Sequence, residues 1–350
     1  MSRRGAGPSS AREPRLISIS VPVPVMAWVR SRRRFGQSSW DDWHSPRRLL
    51  LLWREAMIVA RQGPCTSEVL SWCVPLRDRW SVQNRYVGDL GDFGKYGLLR
   101  ALCSSKGLDD GLDLSLGVVW YLVPDEAHND DGKFIRYLEP SESTAGLYRS
   151  CDPNLYETLS QIVHGESRDV KRVREHQVLP PGTVFYDVPL AFEGIVGRGS
   201  ALRERRAAHR SRWVQGALDV TAECDLTFAD PDNGFEVAVK PHQPRGPKYA
   251  FFDELLPFVR RGQSLVVYHH IGRRGSAVAQ VHTRLAQIET RLKPESDALA
   301  LLYHRGSARA FFVIPADRHR GTLLRRIGRF LDGPWSRHFE LVNTTAPLSA

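Results

Sequence analysis

From about residue 82 onward the chain alternates short apolar runs with stretches of helical period, and that alternation leaves few architectures open. Residues 114–123 form a near-continuous apolar run, as a strand covered on both faces requires. Residues 183–188, 225–229 and 264–269 are shorter runs of the same kind. Between and around them, 92–105, 153–163, 167–176, 200–222, 275–292 and 321–331 carry apolar residues at helical spacing. Residues 248–259 also read as a helix, interrupted or kinked at Pro257. Two apolar runs, 298–303 and 309–314, flank His304-Arg305-Gly306-Ser307, which predicts a hairpin. Strands separated by helices pair in parallel through right-handed crossovers. The expected fold class is therefore α/β: a Rossmann-like, mostly parallel sheet with helices on both faces and a C-terminal antiparallel hairpin.

That combination is the pattern of the class I methyltransferase fold, and other Rossmann-like proteins share it. Residues 1–81 read differently. They hold a basic cluster (Arg30, Arg32, Arg33, Arg34), scattered tryptophans and no sustained period, which predicts a basic, disordered extension ahead of a domain spanning 82–345. The formal net charge of +10 makes anionic partners, nucleic acid among them, an expectation. Much of that excess sits in the extension. The five cysteines are scattered, with no CxxC pair, so neither a zinc site nor a redox pair is signalled and a reducing cytoplasm fits. No apolar run approaches the roughly twenty residues of a membrane-spanning helix. The apolar stretch 16–29 is broken by Pro22 and Pro24, so a cytoplasmic protein without a membrane partner is expected.

Four polar constellations carry the candidate chemistry. Asp230-Pro231-Asp232-Asn233-Gly234 follows an apolar run, which places it at the carboxyl edge of the sheet where open α/β folds bind ligands. It is also a turn that its Asn-Gly pair favours for conformation alone. A second acidic loop, Pro124 to Lys133, follows the strand ending near Leu122; Asp125, Glu126 and Asn129 are candidates for a cofactor's hydroxyls or amino group. With His128 and Asp130 the same loop offers oxygen and nitrogen ligands for a divalent metal. A solvated acidic loop has the same composition. Third, Gly88-Asp89-Leu90-Gly91-Asp92-Phe93-Gly94-Lys95 precedes a helix, with Asp92 as the expected N-cap and Lys95 in the first turn, where the helix dipole disfavours a cation. Fourth, Tyr268-His269-His270-Ile271-Gly272-Arg273-Arg274 follows a strand. Adjacent histidines point to opposite sides, so one of them at most faces a cleft, and Arg273 and Arg274 can hold a phosphate. The chain has neither a GxGxxG loop nor a GxxxxGK[ST] loop.

Taken together, the region from about 84 to 314 resembles the bacterial 23S rRNA adenine-N6 methyltransferase family RlmJ. Gly91-Asp92-Phe93-Gly94-Lys95-Tyr96 is similar to that family's polar turn leading into a lysine-bearing helix. Asp230-Pro231-Asp232-Asn233 resembles its catalytic Asp-Pro-Pro-Tyr, Val266-Val267-Tyr268-His269 its strand with a polar end, and residues 310–315 its final strand. The resemblance implies S-adenosylmethionine as cofactor and an adenine-type amine as acceptor. Asp230 would accept a hydrogen bond from the amine, the Pro231 carbonyl would take its other hydrogen, and Asn233 would complete the motif. Lys95, with Asp92 beside it, would lie near the methionine part of the cofactor. Asp232, His269 and Arg273 are the remaining candidates for substrate contacts. Where the family has a glycine-rich turn after its first strand, this chain has the acidic 124–132 segment; its second proline and stacking aromatic are here Asp232 and Asn233.

The reading that follows is a methyltransferase-like protein acting on nucleic acid or a nucleobase-like amine. Two others stay open. One is a metal-dependent hydrolase or nuclease using Asp125, Glu126, Asp230, Asp232 and His269, although Glu236 and Lys240 lack the spacing of a compact ExK motif. The other is a non-catalytic nucleic-acid binder of the same fold.

Overall fold

The computed structural model describes residues 84–105, 113–123, 132–139, 141–165, 167–293 and 297–343. The expected extension, residues 1–81, lies outside them.

The fold is mixed α/β. Among the described residues nine strands run β1 (Leu116–Trp120), β2 (Val184–Tyr186), β3 (Leu226–Asp230), β4 (Gly234–Phe235), β5 (Tyr249–Ala250), β6 (Ser264–His270), β7 (Leu299–Tyr303), β8 (Arg309–Ile314) and β9 (Phe339–Asn343). The α-helices are α1 (Leu90–Cys103), α2 (Ala145–Arg149), α3 (Pro153–His164), α4 (Val170–Glu175), α5 (Gly199–Val220), α6 (Phe252–Arg260), α7 (Ala277–Arg291) and α8 (Arg320–Asp332).

Seven strands form one sheet in the order β2-β1-β3-β6-β8-β7-β9, and β4 pairs with β5 beside it. Strands β2, β1, β3 and β6 are parallel to one another, whereas β8 runs antiparallel to both β6 and β7, and β9 antiparallel to β7. The sheet is thus mostly parallel, with its antiparallel region at the C-terminal end. The hairpin was expected to contribute one reversed strand; β9 is a second. It follows the Gly333-Pro334 turn as a short edge strand in which Phe339 and Val342 are buried and Glu340 and Leu341 exposed, too brief a pattern to announce itself.

Alternation along each strand splits the core into two layers, as the period of two demands. On one face Val118, Trp120, Phe228, Val266, Leu301, Tyr303 and Phe311 pack against α1, α3 and α8. On the other, Val119, Ala229, Val267, Leu302 and Phe312 pack against Trp213 of α5, Leu255 and Phe258 of α6, and Leu285 of α7. Helices therefore cover both faces.

Of the element boundaries that differ from the sequence expectation, two bear on the site. The stretch 248–259 is not one helix: Tyr249–Ala250 pairs with Gly234–Phe235, α6 starts only at Phe252, and it runs on through Pro257 to Arg260. Helix α1 starts at Leu90 rather than 92. Its N-cap is Asp89, whose carboxylate accepts from the Asp92 N–H at 2.8 Å. Asp92 occupies the third helical position and Lys95 the second turn, not the first. Among the described residues no helix is long and apolar enough to cross a membrane.

Candidate functional site

The sheet's chain order changes direction between β1 and β3. The chain moves outward from β1 to β2, then returns to place β3 and β6 on the other side. Crevices outside the carboxyl ends of strands at such a switch point are where open α/β sheets bind ligands. Asp230 is the last residue of β3 and the register partner of Trp120, the last residue of β1. It stands at the switch point.

Helix α1 brings its polar side to the same place. The Lys95 ammonium donates to Asp92 Oδ1 and to Asp230 Oδ2, each at 2.8 Å. The Tyr96 hydroxyl donates to Asp92 Oδ2 at 3.0 Å. Three rings surround the ammonium, with centroids 5.5 Å away for Trp120, 5.7 Å for Tyr96 and 5.9 Å for Tyr268. All of these polar groups are nearly shut off from solvent: Asp89 and Asp92 are 4% exposed, Asp230 6%, Arg309 8% and Lys95 9%.

Burial disfavours the Lys95 ammonium; Asp230 and Asp92 more than offset it and hold the group firmly charged. Burial raises the Asp230 carboxyl above its ordinary value, opposed by the Lys95 charge. Asp89 is pushed up to about 6, first by burial and then by the Asp92 charge, with Arg309 pulling the other way. Burial likewise raises the Tyr268 phenol to about 12. The Arg309 guanidinium packs on the helix at Gly91, donates from Nη2 to Ser307 Oγ at 2.8 Å, and keeps a buried Nε without a hydrogen-bond partner.

The other candidates distribute unevenly. Pro231 is buried and Asn233 half-buried; the Asn233 N–H donates to the Lys248 carbonyl at 2.9 Å, and its carbonyl accepts from the His270 N–H at 3.3 Å. Asp232 turns to Lys248, 3.1 Å away. Gly234 has φ +101°, a left-handed conformation that glycine adopts without strain, and a Cβ there would strike His269. The structural reason for this turn is therefore real, whatever chemistry it also serves. His269 and His270 do alternate, one buried and one exposed.

Expected convergence of His269 with Asp230 and Lys95 is corrected by the pleat. Phe228 and Asp230 face the α1 layer; His269 faces the opposite layer, its ring against Phe235 and Phe312. Its Nδ1 accepts the Phe235 N–H at 3.1 Å, and burial, then Arg284 and His270, lower its pKa to about 3. It is a neutral imidazole that braces the turn from behind. Arg273 and Arg274 are exposed beyond the end of β6. Asp125, Glu126, Asn129, His128 and Asp130 lie outside the described residues. Among the described residues no group of three or more histidine, cysteine or carboxylate side chains is arranged to hold a metal ion.

Sequence reasoning missed Asp89 as a cap, and missed Tyr96, Trp120, Tyr268 and Arg309 as walls of the site. The Gly88-Asp89 pair was the signal for the first. Arg309 had none, because only the hairpin's position beside β6 brings it to the start of α1.

No family model matches the chain, and no curated protein matches it. Among solved structures, the crystal structure of protein LPL1258 from Legionella pneumophila str. Philadelphia 1, of family-model DUF519, is similar at 9% identity, covering 75% of this chain and 98% of that one with a TM-score of 0.35.

Proposed function

We propose that this chain is an S-adenosylmethionine-dependent methyltransferase-like protein acting on nucleic acid or a nucleobase-like amine. The supporting observation is Asp230 itself: a buried carboxylate followed by proline, at the carboxyl end of a central strand and at the switch point of the sheet. Lys95 engages only Oδ2, which leaves Oδ1 to accept a hydrogen bond from an acceptor N–H. The Pro231 carbonyl takes the amine's other hydrogen, and Asn233 flanks the same turn. Holding both hydrogens orients the nitrogen lone pair toward the methyl donor.

The charges suit the cofactor. Asp89, Asp92 and Asp230 face two cations, Lys95 and Arg309, so with every group ionised the cluster carries one negative charge, which favours a ligand with a positive centre. Aromatic walls add to that preference. When bound, S-adenosylmethionine supplies an electrophilic methyl group on its sulfonium sulfur. Lys95 and Asp92 are the described residues nearest the methionine end in this reading, and Asp125, Glu126 and Asn129 the candidates for its ribose and amino groups. The antiparallel β8, inserted between β6 and β7, agrees with the class I methyltransferase pattern.

Titration calorimetry of the purified protein with S-adenosylmethionine is the test, and saturable one-site binding is the expected result. Asp230→Asn should keep that binding and lower transfer of labelled methyl to RNA by roughly 3–4 kcal/mol of transition-state stabilisation, a loss of about 10²–10³. No heat with the cofactor, but saturable heat with Mn²⁺, would turn the assignment to a metal-dependent hydrolase.

A further inference from the structure

We infer that a cationic groove between α5 and the segment that follows the Asp230 turn holds the phosphate backbone of the acceptor nucleic acid, an inference that rests on the nucleic-acid form of the proposed function. The groove, about 320 Å³, lies between the first half of α5 and the segment that follows the turn, and is lined by Leu202, Arg203, Arg206, Lys240, His242 and their neighbours. Arg203 and Lys240 are exposed, and no carboxylate lines the groove.

Its walls are fixed to each other and to the site. The buried Arg210 of α5 donates to the Gly246 carbonyl at 2.9 Å and to the Tyr249 carbonyl at 2.7 Å, while its guanidinium pairs with Glu254. The segment 236–248 leaves and rejoins the fold at the Asp230 turn. Gly234–Phe235 pairs with Tyr249–Ala250, and Asp232 pairs with Lys248. The groove is therefore tied through its second wall to the turn that carries Asp230 and Pro231, while α5, its first wall, covers the layer opposite the Asp230 carboxylate.

Arg206 is the preorganised member. Its guanidinium lies 5.2 Å from the Phe192 ring centroid, Nη1 reaches the His242 carbonyl at 3.5 Å, and its buried Nε has no hydrogen-bond partner. Exposed Arg198, Arg205 and Arg245 continue the positive charge along the same two segments; Glu204 is the one carboxylate on that half of α5. Several cations on the two segments, against that one carboxylate on the half-helix, fit a repeating polyanion better than a single small anion. Phosphate contacts of this kind set position without reading bases, so they demand charge and spacing only.

Fluorescence anisotropy with a labelled single-stranded RNA tests the assignment, from about 50 to about 200 mM salt. Arg203→Ala/Lys240→Ala should weaken binding at least about tenfold at the low end, equally for unrelated sequences, and reduce the slope of log K against log salt by about 1.4, the value for two lost contacts to a single strand. Arg212→Ala removes an exposed charge from the other half of α5 and should change neither affinity nor slope. Wild-type affinity in the double variant, or an equal loss in Arg212→Ala, overturns the groove. The two proposals fail separately. RNA binding through the groove without cofactor binding keeps the groove and removes the transferase. Methyl transfer to a small nucleobase amine by a protein that does not bind RNA keeps the transferase and removes the groove.

Discussion

Lys95 is a buried cation whose partners are fixed on two different elements, Asp92 on its own helix and Asp230 at the end of β3. Such a pair contributes little over an apolar substitute, yet breaking it by removing one partner typically costs about 3–5 kcal/mol, because the other charge stays buried. Asp230 is therefore a structural as well as a candidate chemical residue: Asp230→Asn keeps the shape and an oxygen for the Lys95 ammonium but removes the charge, so its unfolding midpoint has to be measured beside its methyl transfer. Asp89 makes the sharper prediction. Its native pKa of about 6 lies above the ordinary 3.8, so between those values the folded protein holds a proton that the unfolded chain has released. That contribution is present in acid and is lost as the pH rises through about 6. His269, lowered to about 3, and His338, lowered to about 4 by burial and by Arg305, act with the opposite sign and weaken the fold as the pH falls below about 6.5. In the wild type the two slopes oppose each other. Asp89→Asn keeps a good N-cap and removes the first slope. It should be more stable than wild type at neutral pH by up to about 3 kcal/mol, lose that advantage near pH 4, and show the histidine slope uncovered. Urea unfolding across this range checks it; superimposable profiles would refute the buried-carboxylate account.

At the scale of the element, α1 explains why a glycine-rich sequence makes a long buried helix. Gly91, Gly94 and Gly97 recur every three residues and lie on one side, where they seat the Arg309 guanidinium, the Tyr303 ring and the Trp335 indole. The opposite side carries Asp92, Lys95 and Tyr96 into the site. Each glycine weakens the helix by about 1 kcal/mol relative to alanine, and close packing offsets the loss. Gly94→Ala would put a Cβ 2.7 Å from the Tyr303 ring, which is itself fixed by its hydroxyl donating to the Leu90 carbonyl at 2.8 Å. We expect it to destabilise by about 1–3 kcal/mol despite better propensity. Gly328→Ala, on an exposed part of α8 with nothing within 4 Å, should instead stabilise by about 0.5–1 kcal/mol. Denaturant midpoints of the two variants moving in the same direction would refute the packing role. This helix also shows why its start was misplaced by two residues. Gly91 reads locally as part of a turn, yet it lies in the first helical turn, capped by Asp89 and packed against Arg309, more than two hundred residues away in the chain. The apolar runs behind β1, β3, β6, β7 and β8 were legible because each is buried on both faces and needs no partner's identity to be recognised. Tyr249–Ala250 was not, since a two-residue strand has no period to detect.

For the molecule as a whole, the sequence carried the strand–helix alternation, and with it the edge of the sheet where polar side chains gather. The side of the sheet on which each residue lands was less accessible, because it depends on the exact start of each strand and a shift of one residue reverses every side chain. Asp230 ends β3 and His269 is the last residue but one of β6, and both are polar residues after apolar runs; register alone sends one to the α1 layer and the other behind the turn. The C-terminal segment is the last constraint on that register. Strand β9 covers the free edge of β7, pairing Tyr303 with Phe339 and Leu301 with Leu341. Trp335 stacks on Phe330 with centroids 5.1 Å apart and lies 5.0 Å from Phe93, so it ties α8 to α1. Phe339 packs 4.7 Å from Tyr303, whose hydroxyl holds the first turn of α1. Removing residues 334–350 therefore strips the layer that positions Lys95 while leaving every strand-end carboxylate in the chain. Burial lost at Trp335 and Phe339 alone is of the order of 3–5 kcal/mol for each truncated aromatic, a large part of the 5–15 kcal/mol that stabilises a typical domain. The truncated protein should lose its cooperative thermal transition, or show a midpoint lowered by more than about 10 °C. A truncation at 333 that melts like the full chain would mean that α1 is held by the sheet alone, and that the glycine-side contacts with Tyr303 and Trp335 do not set the position of Lys95.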